Sequence, residues 1–275
     1  MKITEKEVLS TDGQVRVVRM SISSPDIARR ARPGQFVVLM VSDKGERIPL
    51  TIVESDSREG TVTIIFQEAG LSTRLLGKME KGETLYALVG PLGHATGIMD
   101  HGKVIIIGGG VGAAEIYPVV KAFEAAGCHV ATILGARTKG LLILEKELKR
   151  HSKEFYVTTD DGTAGRKGFT TDVLKELLAK GGYDLIYAVG PIPMMRKVAV
   201  TAAGSGVKTI VSLNALMVDA TGMCGCCRVT VGGRTQFSCV DGPEFDAALV
   251  DWDELAKRNA VYCDKEKHIC KLNNL

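Results

Sequence analysis

Lys103-Val104-Ile105-Ile106-Ile107-Gly108-Gly109-Gly110-Val111-Gly112 decides how the middle of this chain folds. Four β-branched residues in a row are too apolar for a strand with a wet face. Residues 104–107 are therefore expected to be buried on both sides, as in a parallel sheet. Glycines follow, and then Ile116, Val119, Val120 and Phe123 recur at i, i+3, i+4 and i+7, the signature of one helix face. A glycine loop between a buried strand and a helix lets backbone approach a pyrophosphate, which the helix amino terminus stabilises. A tight turn with no ligand needs the same glycines, so the reading rests on the strand–loop–helix context.

Outward from this point, strands and helices alternate. A second apolar strand, His129 to Leu134, follows Gly127, and a third runs from Phe155 to Thr158. Thr171 to Ala179 reads as a helix and Asp184 to Val189 as a strand. The alternation implies a parallel α/β domain over residues 99–212. The second strand ends in Leu134-Gly135-Ala136-Arg137 without the acidic residue that holds a ribose in the usual dinucleotide fingerprint. Two later turns are expected at the carboxyl ends of the strands, where such sheets place ligands. They are Asp160-Asp161-Gly162-Thr163-Ala164-Gly165 and Gly190-Pro191-Ile192-Pro193-Met194-Met195. Arg137 and Lys139 leave a 2′-phosphate, and so NADP, open as a ligand.

Residues 1–98 are different in kind. Val15, Val17 and the Met20/Ile22 pair give partial period-two alternation, and Val62, Ile64 and Phe66 alternate with threonines. Turns such as Arg32-Pro33-Gly34 and Arg58-Glu59-Gly60 recur between them. Short strands at this spacing predict a small antiparallel β-barrel. Ser72 is expected to cap a short helix carrying Leu75, Leu76 and Met79. With Gly70 and Thr73 it would make a pyrophosphate seat, or simply an ordinary cap. Arg47 is either a phosphate contact or a solvated charge.

Composition bounds the function. The 275 residues are 45% hydrophobic and 24% charged, with a net charge of +3. These values suit a soluble globular protein and show no basic stripe for nucleic acid. The amino terminus has charges where a signal peptide needs an apolar run, and glycines with Glu115 interrupt the most apolar segment. A cytoplasmic protein with no membrane span is expected. Glycine is abundant at 31, and four of the 7 cysteines lie between positions 224 and 239. An odd, crowded set argues for thiolate chemistry in a reducing compartment, not a disulfide framework.

The third segment, 213–275, holds that set. Asp219-x4-Cys224-x2-Cys227-x11-Cys239 fits the plant-type [2Fe-2S] frame, with aspartate in the first position. A structural zinc site usually pairs two Cys-x2-Cys units, and one is present. Buried thiols are the remaining reading. Cys226 is an alternative fourth ligand, Cys128 reads as packing, and Cys263 and Cys270 have no assigned role. The histidines at 94, 101, 129, 151 and 268 make no metal spacing, and no nucleophile–base motif appears, so no catalytic acid or base is assigned.

Together, Arg47-Ile48-Pro49-Leu50-Thr51-Ile52, Gly70-Leu71-Ser72-Thr73, the glycine loop, Gly190-Pro191-x-x-Met194-Met195 and the cysteine segment resemble the ferredoxin–NADP reductase superfamily. The resemblance covers about residues 5 to 250 and is to the branch of dihydroorotate dehydrogenase electron-transfer subunits. Within it, Asp219 and the run Asp160-Asp161-Gly162-x-x-Gly165-x-Lys167-Gly168 resemble the small subunits of NADH-dependent reduced ferredoxin:NADP oxidoreductases. Two departures stand out: Ile48 is inserted in the common Arg-Pro-x-Ser flavin motif, and Glu115 stands where relatives often have proline. The resemblance implies FAD in the barrel, held by Arg47, Pro49, Leu50, Thr51, Phe66, Gln67, Gly70, Ser72 and Thr73. It implies NAD(H) on Gly108, Gly109, Gly110, Val111, Gly112, Arg137, Asp160, Asp161, Gly162, Gly190, Pro191, Met194 and Met195. A [2Fe-2S] cluster would be held by Asp219, Cys224, Cys227 and Cys239. The implied function is hydride exchange with NAD(H) at FAD and single-electron transfer through the cluster. The implied partner, in a heterodimer of the electron-bifurcating type, is a larger flavin and [4Fe-4S] subunit. That subunit resembles the glutamate synthase small subunit and meets NADP(H) and ferredoxin. Feeding a dihydroorotate dehydrogenase is the nearby alternative. A zinc-stabilised nucleotide-binding sensor without turnover is the alternative from another class.

Overall fold

The computed structural model describes residues 1–13 and 15–272, except for the side chains of Lys267, Cys270, Lys271 and Leu272. The thiol of Cys270, unassigned from sequence, thus lies outside the described residues.

The central sheet forms around the quoted stretch. β8 (Lys103–Gly109) leads to α3 (Gly112–Ala125) and β9 (His129–Ala136). After α4 (Glu145–Arg150) come β10 (Glu154–Thr159), β11 (Arg166–Lys167), α5 (Thr170–Lys180), β12 (Leu185–Val189), α6 (Ile192–Ala202) and β13 (Lys208–Ser212). With β16 (Glu244–Asp246) they make a seven-stranded sheet in the order β11-β10-β9-β8-β12-β13-β16. Every pairing is parallel except that of β16 with β13. Val104 through Ile107 are all 0% exposed. Alternation divides them between two cores: Val104 and Ile106 meet α3 and α4, while Ile105 and Ile107 meet α5 and α6. Each such burial is worth about 1.5–3 kcal/mol, which is why the strand has no polar face. The predicted α3 face is buried as expected, with Ile116, Val119, Val120 and Phe123 at most 1% exposed.

The amino-terminal region contains β1 (Ile3–Asp12), β2 (Val15–Ser23), α1 (Pro25–Ala28), β3 (Phe36–Met40), β4 (Ile48–Thr51), β5 (Glu54–Asp56), β6 (Thr61–Gln67), α2 (Leu71–Lys78) and β7 (Ala87–Leu92). The expected barrel is not closed by hydrogen bonds. It is two antiparallel sheets, β1-β2-β6-β5 and β4-β3-β7, facing each other across one core. The physical reason lies at a corner. The Ile52 amide donates to Gln35, just ahead of β3, and the Val53 amide donates to Thr63 of the other sheet, so the chain crosses between sheets instead of continuing one ladder. Val62, Ile64 and Phe66 turn inward as their alternation predicts, and Thr63 pairs with the Ser21 hydroxyl at 2.9 Å on the opposite face.

The last segment carries β14 (Arg228–Val231), β15 (Arg234–Phe237), α7 (Trp252–Asn259) and α8 (Cys263–Leu272) besides β16. Its apolar residues Ala220, Val229, Phe245 and Leu255 join the same core as Ile105 and Ile107. Phe36 and Val38 of β3 join it too, so the three regions share one interior. Among the described residues no helix is long and apolar enough to cross a membrane.

Candidate functional site

The order β9-β8-β12 places the reversal of strand order between β8 and β12, where an α/β sheet opens a crevice. Gly108 pairs with Val189 at that point. The two following loops approach so closely that a Cβ on Gly112 would lie 2.6 Å from the Val189 carbonyl oxygen. The Gly110 amide donates to Gly135 at 2.8 Å, which ties the loop to β9. A cavity of about 930 Å³ opens there. Its walls include Gly109, Gly110, Val111 and Gly112, then Arg137, Asp160, Gly190, Pro191 and Met194. These expected nucleotide residues therefore come together. Four others do not line the cavity. Gly108 packs under Ile116, and Met195 is fully buried in the core. Asp161 accepts the Thr163 amide at 2.9 Å and hydroxyl at 2.7 Å in an exposed turn that also holds Gly162. Those hydrogen bonds, the amide foremost, hold the Asp161 carboxyl below its usual range.

The amino terminus of α5 faces the same cavity through Thr170, Thr171 and Lys175, and Lys197 of α6 joins them. Sequence reasoning missed these. The available signal was Gly168-Phe169-Thr170-Thr171 ahead of a helix, a turn followed by hydroxyls. The barrel contributes Val17 and Gln67 to the opposite wall.

Glu115, on the first turn of α3, lines the cavity as well. It remains partly reachable from the cavity, yet the protein around it is dense enough to desolvate its carboxyl. Burial pushes that group up to about 7, against the opposing pull of a hydrogen bond with Thr51. Behind it, the Tyr187 hydroxyl donates to Glu244 at 2.8 Å, and the Thr96 hydroxyl donates to the same oxygen. Burial raises Glu244 also.

In the amino-terminal region, β4 carries Pro49, Leu50 and Thr51, each partly exposed. Arg47 borders a second cavity of about 670 Å³, which Asp219 and Cys239 also line. Phe66 is 1% exposed with its ring in the barrel core, so its side chain faces neither cavity. The expected cap at Ser72 is corrected: α2 starts two residues earlier than that reading requires, with Gly70 extended at the N-cap. Thr73 makes this possible, because its hydroxyl accepts the amides of Ala69 and Gly70 at 3.0 Å each. Ser72 instead donates to Glu46. The residues fit an anionic cofactor here, since the Arg74 Nε on α2 is buried with no protein partner and Gly70 opens onto empty space. An unpartnered buried donor is costly unless a ligand satisfies it.

The four cluster candidates form two contacting pairs. Asp219 hydrogen-bonds the Cys224 thiol, and Cys227 contacts Cys239, whose amide donates to the Cys227 sulfur at 3.4 Å. Burial, then contact with Cys227, pushes the Cys239 thiol up to about 12. Among the described residues no three His, Cys, Asp or Glu side chains converge as a single ion requires. Two pairs suit two irons better than one zinc. The Ser238 hydroxyl between them in sequence is 0% exposed and has no partner, a donor suited to a cluster sulfur. Ala220 holds a left-handed backbone (φ 58) beside Asp219, and such strain persists only where its surroundings impose it. Cys226 is half-buried beside Cys224, and its carbonyl accepts from Arg258 at 2.9 Å. Cys128 is buried packing, as expected.

Comparison with known proteins identifies two domains in the chain. Residues 106–199 match the oxidoreductase NAD-binding domain. Residues 214–251 match the iron–sulfur cluster binding domain of dihydroorotate dehydrogenase B. A homolog of the dihydroorotate dehydrogenase B (NAD(+)) electron transfer subunit from Thermotoga maritima is 48% identical over 246 residues, covering 90% of this chain and 87% of that one. The chain belongs to the family of dihydroorotate dehydrogenase B electron-transfer subunits. Another member, from Fusobacterium nucleatum, is 33% identical over 85% of this chain and 92% of its own. A chain from the structure of an NADH-dependent reduced ferredoxin–NADP oxidoreductase, solved for insight into flavin-based electron bifurcation, superposes with a TM-score of 0.91. It is 45% identical and covers 97% of this chain and 95% of that one. The ferredoxin–NADP+ reductase of Plasmodium falciparum shares the fold at 13% identity, with a TM-score of 0.61 over 75% of this chain and 92% of that one. This family member is an oxidoreductase whose cofactors are FAD, NAD(H) and a [2Fe-2S] cluster, and it works in electron transfer.

Proposed function

We propose that this chain is the NAD(H)-linked small subunit of an electron-bifurcating NADH-dependent reduced ferredoxin:NADP oxidoreductase. The observation that carries the reading is Asp219 in the first position of the cysteine frame, in contact with Cys224, in a chain 97% of which superposes on a chain from the structure of such an oxidoreductase. Bound flavin and nicotinamide supply hydride chemistry, and the cluster supplies single-electron transfer.

The protein's own residues position these groups. The glycine loop and the amino termini of α3 and α5 face nucleotide phosphates with backbone amides. Arg74 and the amino terminus of α2, with Arg47, Leu50, Thr51 and Gln67, would hold the flavin. Asp219, Cys224, Cys227 and Cys239 would hold the cluster. By this reading residues 1–98, 99–212 and 213–275 are the flavin, nucleotide and cluster regions. The partner is a larger flavin and [4Fe-4S] subunit.

A second reading, service to a dihydroorotate dehydrogenase, is favoured by the names of the relatives at 48% and 33% identity. Native mass spectrometry of the complex purified through this chain separates the two. The expected partner oxidises or reduces NADP(H), and a partner that oxidises dihydroorotate would overturn the proposal. Asp219→Cys should keep about two irons per chain while moving the cluster potential. An unchanged potential and spectrum would remove Asp219 from the ligand set and leave Cys226 in its place.

A further inference from the structure

One face of α7 lies on the cluster segment. Glu254, Leu255, Arg258 and Asn259 recur at i, i+1, i+4 and i+5, which places them side by side. Each engages that segment. Glu254 accepts the Thr230 amide at 3.1 Å, and Leu255 is 0% exposed in the core that holds Val229. Asn259 accepts the Leu216 amide at 3.1 Å and donates to the Asn214 carbonyl at 2.8 Å. Arg258 reaches the cysteine loop itself, where its Nη2 donates to the Cys226 carbonyl at 2.9 Å. Its Nε is buried and has no partner in the protein.

The Cys226 carbonyl belongs to the peptide that leads into Cys227. That peptide is trans, so its N–H points away from the oxygen that Arg258 holds. The preceding peptide repeats the arrangement, because the Gly225 carbonyl accepts from the Arg228 Nη1 at 3.2 Å. Two guanidiniums thus draw consecutive carbonyls to themselves and turn the Cys226 and Cys227 amides the other way. Arg228 is exposed, whereas Arg258 is partly buried. A buried N–H without an acceptor is costly, and an electron-rich cluster sulfur is an acceptor that removes the cost.

We infer that Arg258 is a positioning residue of the iron–sulfur cluster and raises its reduction potential, through the Cys226 carbonyl and the buried Nε–H. The inference rests on the assignment of Asp219, Cys224, Cys227 and Cys239 to the cluster. One-electron reduction adds one negative charge there and breaks no bond in Arg258. A fixed, partly desolvated cation stabilises the reduced form more than the oxidised one, and a guanidinium keeps its charge at every working pH. The neighbouring Lys257 is exposed, so water and salt screen its charge.

The test is a potentiometric titration of the holoprotein followed by electron paramagnetic resonance. Arg258→Gln should keep about two irons per chain. At a fixed potential it should shift the cluster about tenfold toward the oxidised form, which corresponds to a potential about 59 mV lower. Arg258→Lys should recover most of that shift, and Lys257→Gln should leave the potential in place. An unmoved potential in loaded Arg258→Gln protein, or an equal fall in Lys257→Gln, would overturn the inference. If Arg258→Gln loses its iron, the unmodified protein decides. Pulsed resonance spectra of its reduced cluster should change when the protein is made with arginine labelled with heavy nitrogen, and identical spectra would overturn the inference. A purified chain that holds no iron would instead fail the cluster assignment, an outcome distinct from a loaded cluster indifferent to Arg258.

Discussion

Gly112→Ala separates close approach from backbone freedom inside one glycine loop. A Cβ at Gly112 would meet the Val189 carbonyl oxygen at 2.6 Å, its carbon at 3.0 Å and the Gly190 Cα at 3.2 Å. Ordinary carbon–oxygen contact begins at about 3.3 Å, so the start of α3 must retreat by roughly 0.7 Å. All three neighbours are backbone, and none can swing aside. Overpacking of this kind costs about 1–3 kcal/mol, and alanine's helix preference returns at most about 1 kcal/mol. The net loss should be about 1–2 kcal/mol. The retreating amides should also weaken NADH binding about tenfold, the worth of one charge-assisted hydrogen bond. Gly110 is the control, because it has φ +57 and nothing within 4 Å of its Cβ position. There asparagine, which tolerates left-handed backbone, should cost less than alanine. At Gly112 asparagine should cost more than alanine. Urea midpoints and calorimetric NADH titrations of the four variants decide it. A Gly112→Ala protein within about 0.5 kcal/mol of the parent, with unchanged NADH affinity, would refute the close-approach argument.

Thr73→Val removes the acceptor of two amides at the start of α2 and should cost about 1 kcal/mol, read as a lower urea midpoint together with weaker FAD retention. Ser238→Ala should leave the cluster assembled but lower its potential, because hydrogen bonds to cluster sulfurs set that value; potentiometric titration followed by electron paramagnetic resonance reads it, and an unmoved potential would mean the hydroxyl points elsewhere. Glu154 accepts from Tyr156 at 2.5 Å and hydrogen-bonds His129 at 2.8 Å, and these partners, Tyr156 foremost, hold its carboxyl below the ordinary 4.5. A lowered carboxylate stabilises the fold above its ordinary value and loses that contribution as pH falls through the lowered one. Glu154→Gln should therefore flatten the acid limb of melting temperature against pH below about 4.5; parallel limbs would show that the carboxylate contributes nothing.

The central sheet was legible because burial on two faces leaves a residue-level mark. Four β-branched residues followed by glycine have few other homes, and the α3 stripe repeats at helical spacing. The cysteine frame was legible because its spacing is set by a ligand, not by packing. Other features depend on partners far away in sequence. Phe66 and Met195 look like site residues in a motif, yet the core claims both side chains. The α2 cap slipped from Ser72 to Gly70 because a threonine three residues on reached back, and an extended glycine carries no side-chain cue. Glu115 reads from sequence as a charged residue on an apolar helix, and only the folded surroundings desolvate it. The three-residue β16 shows no alternation long enough to mark it as a strand.

β16 belongs to the cluster segment by sequence and to the nucleotide sheet by hydrogen bonding, with Val211 paired to Phe245. Its Glu244 is also the acceptor that gathers Tyr187 of the sheet and Thr96 of the connector. The iron–sulfur portion is thus not a module that recombination can lift out cleanly. A chimaera joined anywhere between β13 and β16 would inherit one half of a sheet edge and one half of a buried hydrogen-bonded knot. Exchange of cluster types among relatives should succeed only when the whole stretch from β12 onward travels as a single unit of inheritance.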